Sequence, residues 1–206
     1  MNKVVIEPHY IGCLEYYALI LQYDEVCLEI NDSFPKQTFR NRAYLLTSNK
    51  IQPLIIPVKY SNGSPTSEVV IDYSQRWVKD HWGAFYSAYG KAPFFEYFGE
   101  DVKSIWDSKI SSLVELDVSF MKLVFKILQK DIQISYTSQY LENHQQDFRD
   151  VVSPKKPFSN RKIYEPFSYP QLFGDNFVPN LSIIDLIMNE GPNAAHILIK
   201  SFKGLK

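Results

Sequence analysis

The first thirty residues of the chain alternate between compact apolar runs and polar breaks, and the alternation resolves into successive elements. Val4-Val5-Ile6 is a short apolar run stopped by Pro8, consistent with an inner strand. Leu14, Tyr17, Ala18 and Leu21 fall at helical spacing within Leu14–Tyr23, Asp24 marks a break, and Glu25–Ile30 reads as a second strand. Strand, helix and strand within about 30 residues is the length of a right-handed crossover unit, so the two strands should lie parallel.

Further along, Arg42–Leu46 and Leu54–Lys59 flank the turn-rich Thr47-Ser48-Asn49-Lys50 and read as a hairpin. Glu68–Ile71 reads as another strand. Ser74 is placed to cap a helix over Gln75–Tyr89 that ends at Gly90, and Ala92-Pro93-Phe94-Phe95 reads as a break. Leu113, Leu116, Phe120, Leu123 and Ile127 recur every three or four residues, which makes Ser111–Gln129 the clearest amphipathic helix, followed by a strand at Ile132–Tyr136. From His144 to Asn180 Pro, Ser, Asn and Asp dominate without a period, and a loop that long is unusual unless it is functional. Ser182 and Asp185 fit a capping box opening a short helix that Gly191 closes. Pro192 suits the first position of a last helix through Ser201, with Gly204 beyond it. The expected fold is a single α/β domain over residues 1–206: a mixed sheet with an N-terminal parallel β-α-β unit, helices packed on the sheet, and a C-terminal helical segment.

Composition narrows the class. A chain of 206 residues, 45% hydrophobic, is long enough for one substantial core. The aromatic share of 15% is high; such rings can line a pocket, although burial in the core is their ordinary fate. A formal net charge of -1 argues against a nucleic-acid partner, which asks for a basic surface. The one dense basic stretch, Lys155-Lys156 through Arg161-Lys162, contains Pro and Ser and reads as a solvated loop, with an anion contact as the alternative. Cys13 and Cys27 are too few for a disulfide scaffold or a metal knuckle. No secretory signal pattern and no apolar run of membrane length occurs, so a cytoplasmic location with reduced thiols and no membrane insertion is expected.

His9 leads the candidate chemistry. It stands just past a strand end, beside Gly12 and ahead of a helix start, where open α/β sheets place ligands. It could move a proton, with Glu7 two residues away as its carboxylate partner; the alternative is a turn histidine satisfied by backbone. If Gln37–Arg42 is extended, Lys36, Arg40 and Arg42 share one face, where paired guanidinium groups grip a carboxylate or phosphate. A solvated strand gives the same pattern. Asp32, between strand and basic cluster, could orient an arginine. Tyr10 joins the substrate-binding candidates, as do Trp77, for stacking, and His81, one turn along the same helix. The competing reading of His81 is a hydrogen-bonded core histidine. His144 and His196 read as structural. No zinc spacing, P-loop, hydrolase elbow or Rossmann glycine run occurs, so no metal is expected and no cofactor can be named.

Four motifs in order resemble the WbqC-like protein family across nearly the whole chain. They are Glu7-Pro8-His9-Tyr10, Lys36-Gln37-Thr38-Phe39-Arg40-Asn41-Arg42, the stretch from Trp77 and His81-Trp82 to Lys91-Ala92-Pro93-Phe94-Phe95, and Phe177 through Ala194. Glu7 stands where the family usually has Gln, and Gly12-Cys13-Leu14-Glu15 stands where Pro-Trp-Leu-Gly is common. The resemblance implies a bacterial cytoplasmic protein of surface-polysaccharide (O-antigen-type) biosynthesis. The expected function is a transferase acting on an activated sugar or amino sugar, by acyl or aminoacyl transfer, with a small-molecule partner such as a nucleotide sugar or acyl donor. A non-catalytic binding or assembly module is the alternative. A nucleotidyltransferase-like enzyme ranks third, because a second histidine after Gly12 is missing.

Overall fold

The computed structural model describes residues 2–204. In chain order the first elements are β1 (Lys3–Ile6), α1 (Leu14–Ile20), β2 (Glu25–Leu28), β3 (Arg42–Leu46), β4 (Ile51–Ile55), β5 (Val58–Lys59) and β6 (Val70–Ile71). There follow α2 (Trp77–Tyr89), α3 (Phe95–Asp107), α4 (Leu113–Ile127), β7 (Gln133–Tyr136), α5 (Ile183–Glu190) and α6 (Ala194–Ser201).

The α/β architecture and the N-terminal parallel unit are as the sequence pattern indicates. β1, β2 and β7 form a three-stranded parallel sheet in the order β1-β2-β7, with Ile6 opposite Leu28 and Leu28 opposite Tyr136. Two separate antiparallel ladders, β3 with β4 and β5 with β6, stand apart from this sheet, and isolated antiparallel bridges such as Cys13 to Ser182 tie distant segments together. Val4, Ile6, Val26 and Leu28 on one face and Val5 and Cys27 on the other are all buried, as strands covered on both faces demand. The α1 crossover is buried along its whole length and packs beside α5 and α6. Its only charge, Glu15, is met by Arg161 Nε at 2.7 Å, and the Glu15 amide donates to Asn180 Oδ1 at 2.9 Å, so the helix N-terminus is capped from the far end of the chain.

Several boundaries differ from expectation for local reasons. β3 pairs with Ile51–Ile55 rather than Leu54–Lys59, and Val58–Lys59 leaves to pair with β6. Glu68 sits in a 3-10 turn, Thr66–Glu68, which shortens the following strand. Ser74 does not cap α2; its amide donates to Asp72 Oδ1 and the helix starts at Trp77. Behind the expected break at Ala92–Phe95 lies α3, a full helix burying Gly99, Val102 and Trp106. Ser182 does cap α5 through Ile184 N, but no box closes: Asp185 turns inward and accepts from Tyr89, Tyr169 and Gln171 at 2.6–2.9 Å. Within the long polar segment, Val5 N donates to Gln146 O and Phe148 N to Val5 O, so residues 146–148 run beside β1.

Candidate functional site

The parallel register brings Glu7 and Glu29 side by side, each the first residue after its strand, with Glu29 N donating to Ile6 O at 2.8 Å. Both carboxylates are buried. Glu29 accepts from Asn31 N and Thr137 Oγ1, each at 2.8 Å, and from Arg149 Nη1 at 3.3 Å. Glu7 Oε1 meets His9 Nε2 at 3.1 Å, while its Oε2 accepts from Asp150 N at 3.0 Å. Pro8 removes a main-chain donor where the strand stops, and Ile11, at φ 42°, turns the chain into α1. Gly12 is required here. A Cβ on it would stand 2.8 Å from the Tyr16 ring, which stacks on His9 with centroids 4.2 Å apart and donates its hydroxyl to Glu7 O.

The charge state of the pair follows from burial. Desolvation pushes the His9 imidazole below its ordinary value, and the nearby Arg40 charge adds to that despite the pull of Glu7. Burial alone would raise the Glu7 carboxyl, but its hydrogen bond and charge contact with His9 and, behind them, the Arg40 guanidinium outweigh it and hold the carboxyl below its ordinary value. A neutral imidazole beside a carboxylate puts its one proton on Nε2, toward Glu7. His9 Nδ1 is then a bare lone pair, buried and without a partner in the structure.

The basic cluster is arranged differently from the extended reading. Gln37 takes φ 60° and Phe39–Asn41 forms a 3-10 turn, pinned by Tyr10 N donating to Phe39 O at 2.9 Å. Lys36, Arg40 and Arg42 therefore do not share a strand face: Lys36 is exposed, Arg40 wholly buried, and Arg42 half-buried at the start of β3. Arg40 points to the dyad's surroundings, with Nη2 on Asp32 Oδ2 at 3.0 Å and Nη1 on Asp150 Oδ1 at 3.1 Å. Beside it opens a cleft of about 410 Å³ lined by Asp32, Tyr140, Asp147, Arg149 and Asp150. Arg149 is fixed there by Asp147 and by the carbonyls of Leu141 and Glu142, with its guanidinium 5.1 Å from the Tyr140 ring centre.

Tyr10, Trp77 and His81 lie in a second cluster. Trp106 Nε1 donates to Tyr10 Oη at 2.8 Å, so the single Tyr10 hydroxyl proton goes to His81 Nδ1, also at 2.8 Å. Desolvation depresses His81 to about 4, and Trp77 meets it edge-on at 5.0 Å. Trp77 and His81 line a separate groove of about 300 Å³ with Ile55 and Asp80. Of the residues singled out by sequence, the fold thus gathers Glu7, His9, Asp32 and Arg40 at the carboxyl end of the sheet. Glu29, Arg149 and Asp150 complete that group and carry no local motif. Asp117, buried on α4 with neither oxygen partnered, was hidden inside an amphipathic repeat; burial drives its carboxyl well above the ordinary range. Among the described residues no group of three or more His, Cys, Asp or Glu is arranged to hold a metal ion, and no helix is long and apolar enough to cross a membrane.

Comparison with known proteins fits these motifs. The WbqC-like protein family matches over residues 7–164 and 155–197, a span that takes in the dyad, the Arg40 turn and α5. The chain belongs to the WbqC-like protein family. This WbqC-like chain is also 24% identical to the Mycobacterium tuberculosis protein named "Uncharacterized protein Rv1507c", over 96% of its own length and 98% of the relative's. No solved structure matches it.

Proposed function

We propose that this WbqC-like protein is a cytoplasmic transferase of surface-polysaccharide biosynthesis, passing an acyl or aminoacyl group to the amine of an activated amino sugar. The observation that carries this reading is the Glu7–His9 pair with its unpartnered Nδ1 at the carboxyl end of a parallel sheet. A neutral imidazole oriented by a carboxylate is a general base; Nδ1 would take the proton of the attacking amine and return it to the leaving group. The excess of carboxylates in the adjoining cleft suits an ammonium-bearing acceptor, and the exposed Tyr140 ring suits a sugar face. Tyr10, Trp77 and His81 are given the supporting roles of fixing the chain after His9 and lining the neighbouring groove.

The test is turnover of a panel of nucleotide amino sugars paired with acyl-coenzyme A thioesters or aminoacyl donors, with product read by mass spectrometry. His9→Gln, which keeps the polar ring's volume roughly, should lower turnover by ~10²–10⁴-fold while the melting curve is retained. Wild-type turnover in a folded His9→Gln protein would sink the assignment. The complete burial of His9 favours a second reading, a ligand-binding module without chemistry. Ligand-induced thermal stabilisation with no product over long incubation would support that module instead.

A further inference from the structure

The surface segment bonded to the dyad is short, and two ion pairs tie it to buried charges of the site. Residues 146–150 run beside β1 through two main-chain bonds, then bend so that Asp150 N reaches Glu7 Oε2. Gln146 and Asp150, at the two ends, each hold φ 57°, a left-handed conformation that costs a residue with a side chain and that recurs at switching segments. Its side chains reach the rest of the fold through two ion pairs, Asp150 on Arg40 and Arg149 on Glu29, through Gln146 Oε1, which accepts from the Tyr23 hydroxyl at 3.2 Å, and through Phe148, half-buried beside the Tyr23 ring.

The Asp150 anchor is asymmetric. The Arg40 guanidinium is wholly buried, whereas the Asp150 side chain is 62% exposed. Asp32, close in sequence to Arg40, already supplies one carboxylate at 3.0 Å and suffices to balance the buried charge. Asp150 therefore adds a second anion to a buried guanidinium, and both of its carboxylate partners, Asp32 and Asp150, line the cleft together with Tyr140 and Arg149.

We propose that the Asp150 carboxylate occupies the anion position of the substrate site, standing on Arg40 in place of a phosphate or carboxylate group, and that residues 146–150 swing away when such a group arrives. The exchange is charge-neutral at Arg40: one oxyanion leaves as another enters, so the guanidinium stays paired throughout. Departure of the segment carries Asp147 and Arg149 out of the cleft as a pair whose charges cancel, so the net charge lost is that of Asp150, which the arriving anion replaces. This rests on the site assigned above, and it names the anionic half of the substrate.

The experiment uses the full chain, with inorganic pyrophosphate and malonate as separate probes, calorimetric titration for affinity, and hydrogen exchange at the Phe148 and Asp150 amides. Asp150→Gly removes the carboxylate while tolerating the left-handed backbone, and Asp150→Asn serves as a second variant with the shape kept. Loss of an internal competitor should tighten binding roughly tenfold or more, by the inverse of the open fraction. In the wild type, a bound probe should speed exchange at both amides. Asp32→Ala removes the same charge from the same guanidinium but should leave exchange at Phe148 unaltered. Binding of pyrophosphate alone identifies a phosphate group, and binding of malonate alone a carboxylate. Unchanged affinity in both folded Asp150 variants, or a probe that binds wild type without speeding Phe148 exchange, overturns the proposal. Probe affinity and exchange at Phe148 are read without turnover, so failure here and failure of the catalytic assignment are separable.

Discussion

The His81 ring stays neutral in the folded chain because burial disfavours its charge and the Tyr10 hydroxyl already donates to Nδ1. With a folded value of about 4 against 6.5 for the free side chain, the unfolded chain takes up this proton first as pH falls. Stability should therefore drop with pH from about 6.5 down to about 4, the loss attributable to His81 reaching about 3 kcal/mol. Urea titrations of wild type and His81→Gln across that window check it; the variant should lack this part of the acid sensitivity. Asp117 acts with the opposite sign. Its folded value lies well above 3.8, so its contribution is complete below that pH and declines as pH rises toward the folded value. The difference in stability between Asp117→Asn and wild type should grow in favour of the variant with rising pH above 3.8, by up to about 1.4 kcal/mol per pH unit. A difference that stays flat from pH 4 to 7 would contradict the buried, protonated acid. Neither group announces itself in the sequence. Asp117 occupies a helical position flanked by Leu116 and Val118, and its burial follows only from which face α4 turns inward.

At the scale of elements, legibility tracks how local the physics is. β1, α1 and β2 follow from an apolar run, a Pro stop and a 3.6-residue period, all within thirty residues. α4 was visible for the same reason. α3 was not, although Phe95, Phe98, Val102 and Trp106 repeat at helical spacing, because Pro93 and two adjacent Phe suggested a break instead. The Arg40 turn was misread because the left-handed Gln37 leaves no signature in composition. α5 illustrates a motif whose chemistry is tertiary. Asp185 looked like half of a capping box, yet it receives Tyr89 from α2 together with Tyr169 and Gln171 from the long polar segment. Tyr169→Phe removes one donor from a carboxylate that keeps two others, and should cost about 1–2 kcal/mol. Asp185→Ala strands two buried hydroxyl donors, Tyr89 and Tyr169, at once, while Gln171 keeps the Val178 carbonyl, and should cost more, roughly 1–3 kcal/mol for each group left unpaired. Thermal melts of the two variants compare the costs; equal losses would mean the carboxylate is not the hub.

Across the whole molecule, one hydrophobic cluster runs from Val4 in β1 through Trp106 in α3 and Phe120 in α4 to Leu198 in α6. Such continuity leads us to propose a single cooperative unit, as the sequence reading expected for residues 1–206. The calorimetric and van't Hoff enthalpies of unfolding should agree, and a ratio well above one would separate the chain into independently melting parts. The carboxyl end of the sheet was legible as a location, from a strand that stops at Glu7-Pro8-His9. Its completion was not, because Arg149 and Asp150 arrive from more than a hundred residues away through contacts that only the fold creates. The company that β1 keeps has a further consequence. It has β2 on one flank and, among the described residues, only the short stretch in which Asp147 lies opposite Val5 on the other. Were that stretch to lift for long, a Val-Val-Ile strand would present a bare border with open amide and carbonyl groups, the template on which foreign strands add and chains aggregate. The ion pairs of Arg40 and Arg149 are thus also guards of solubility, and any opening that serves turnover has reason to be brief.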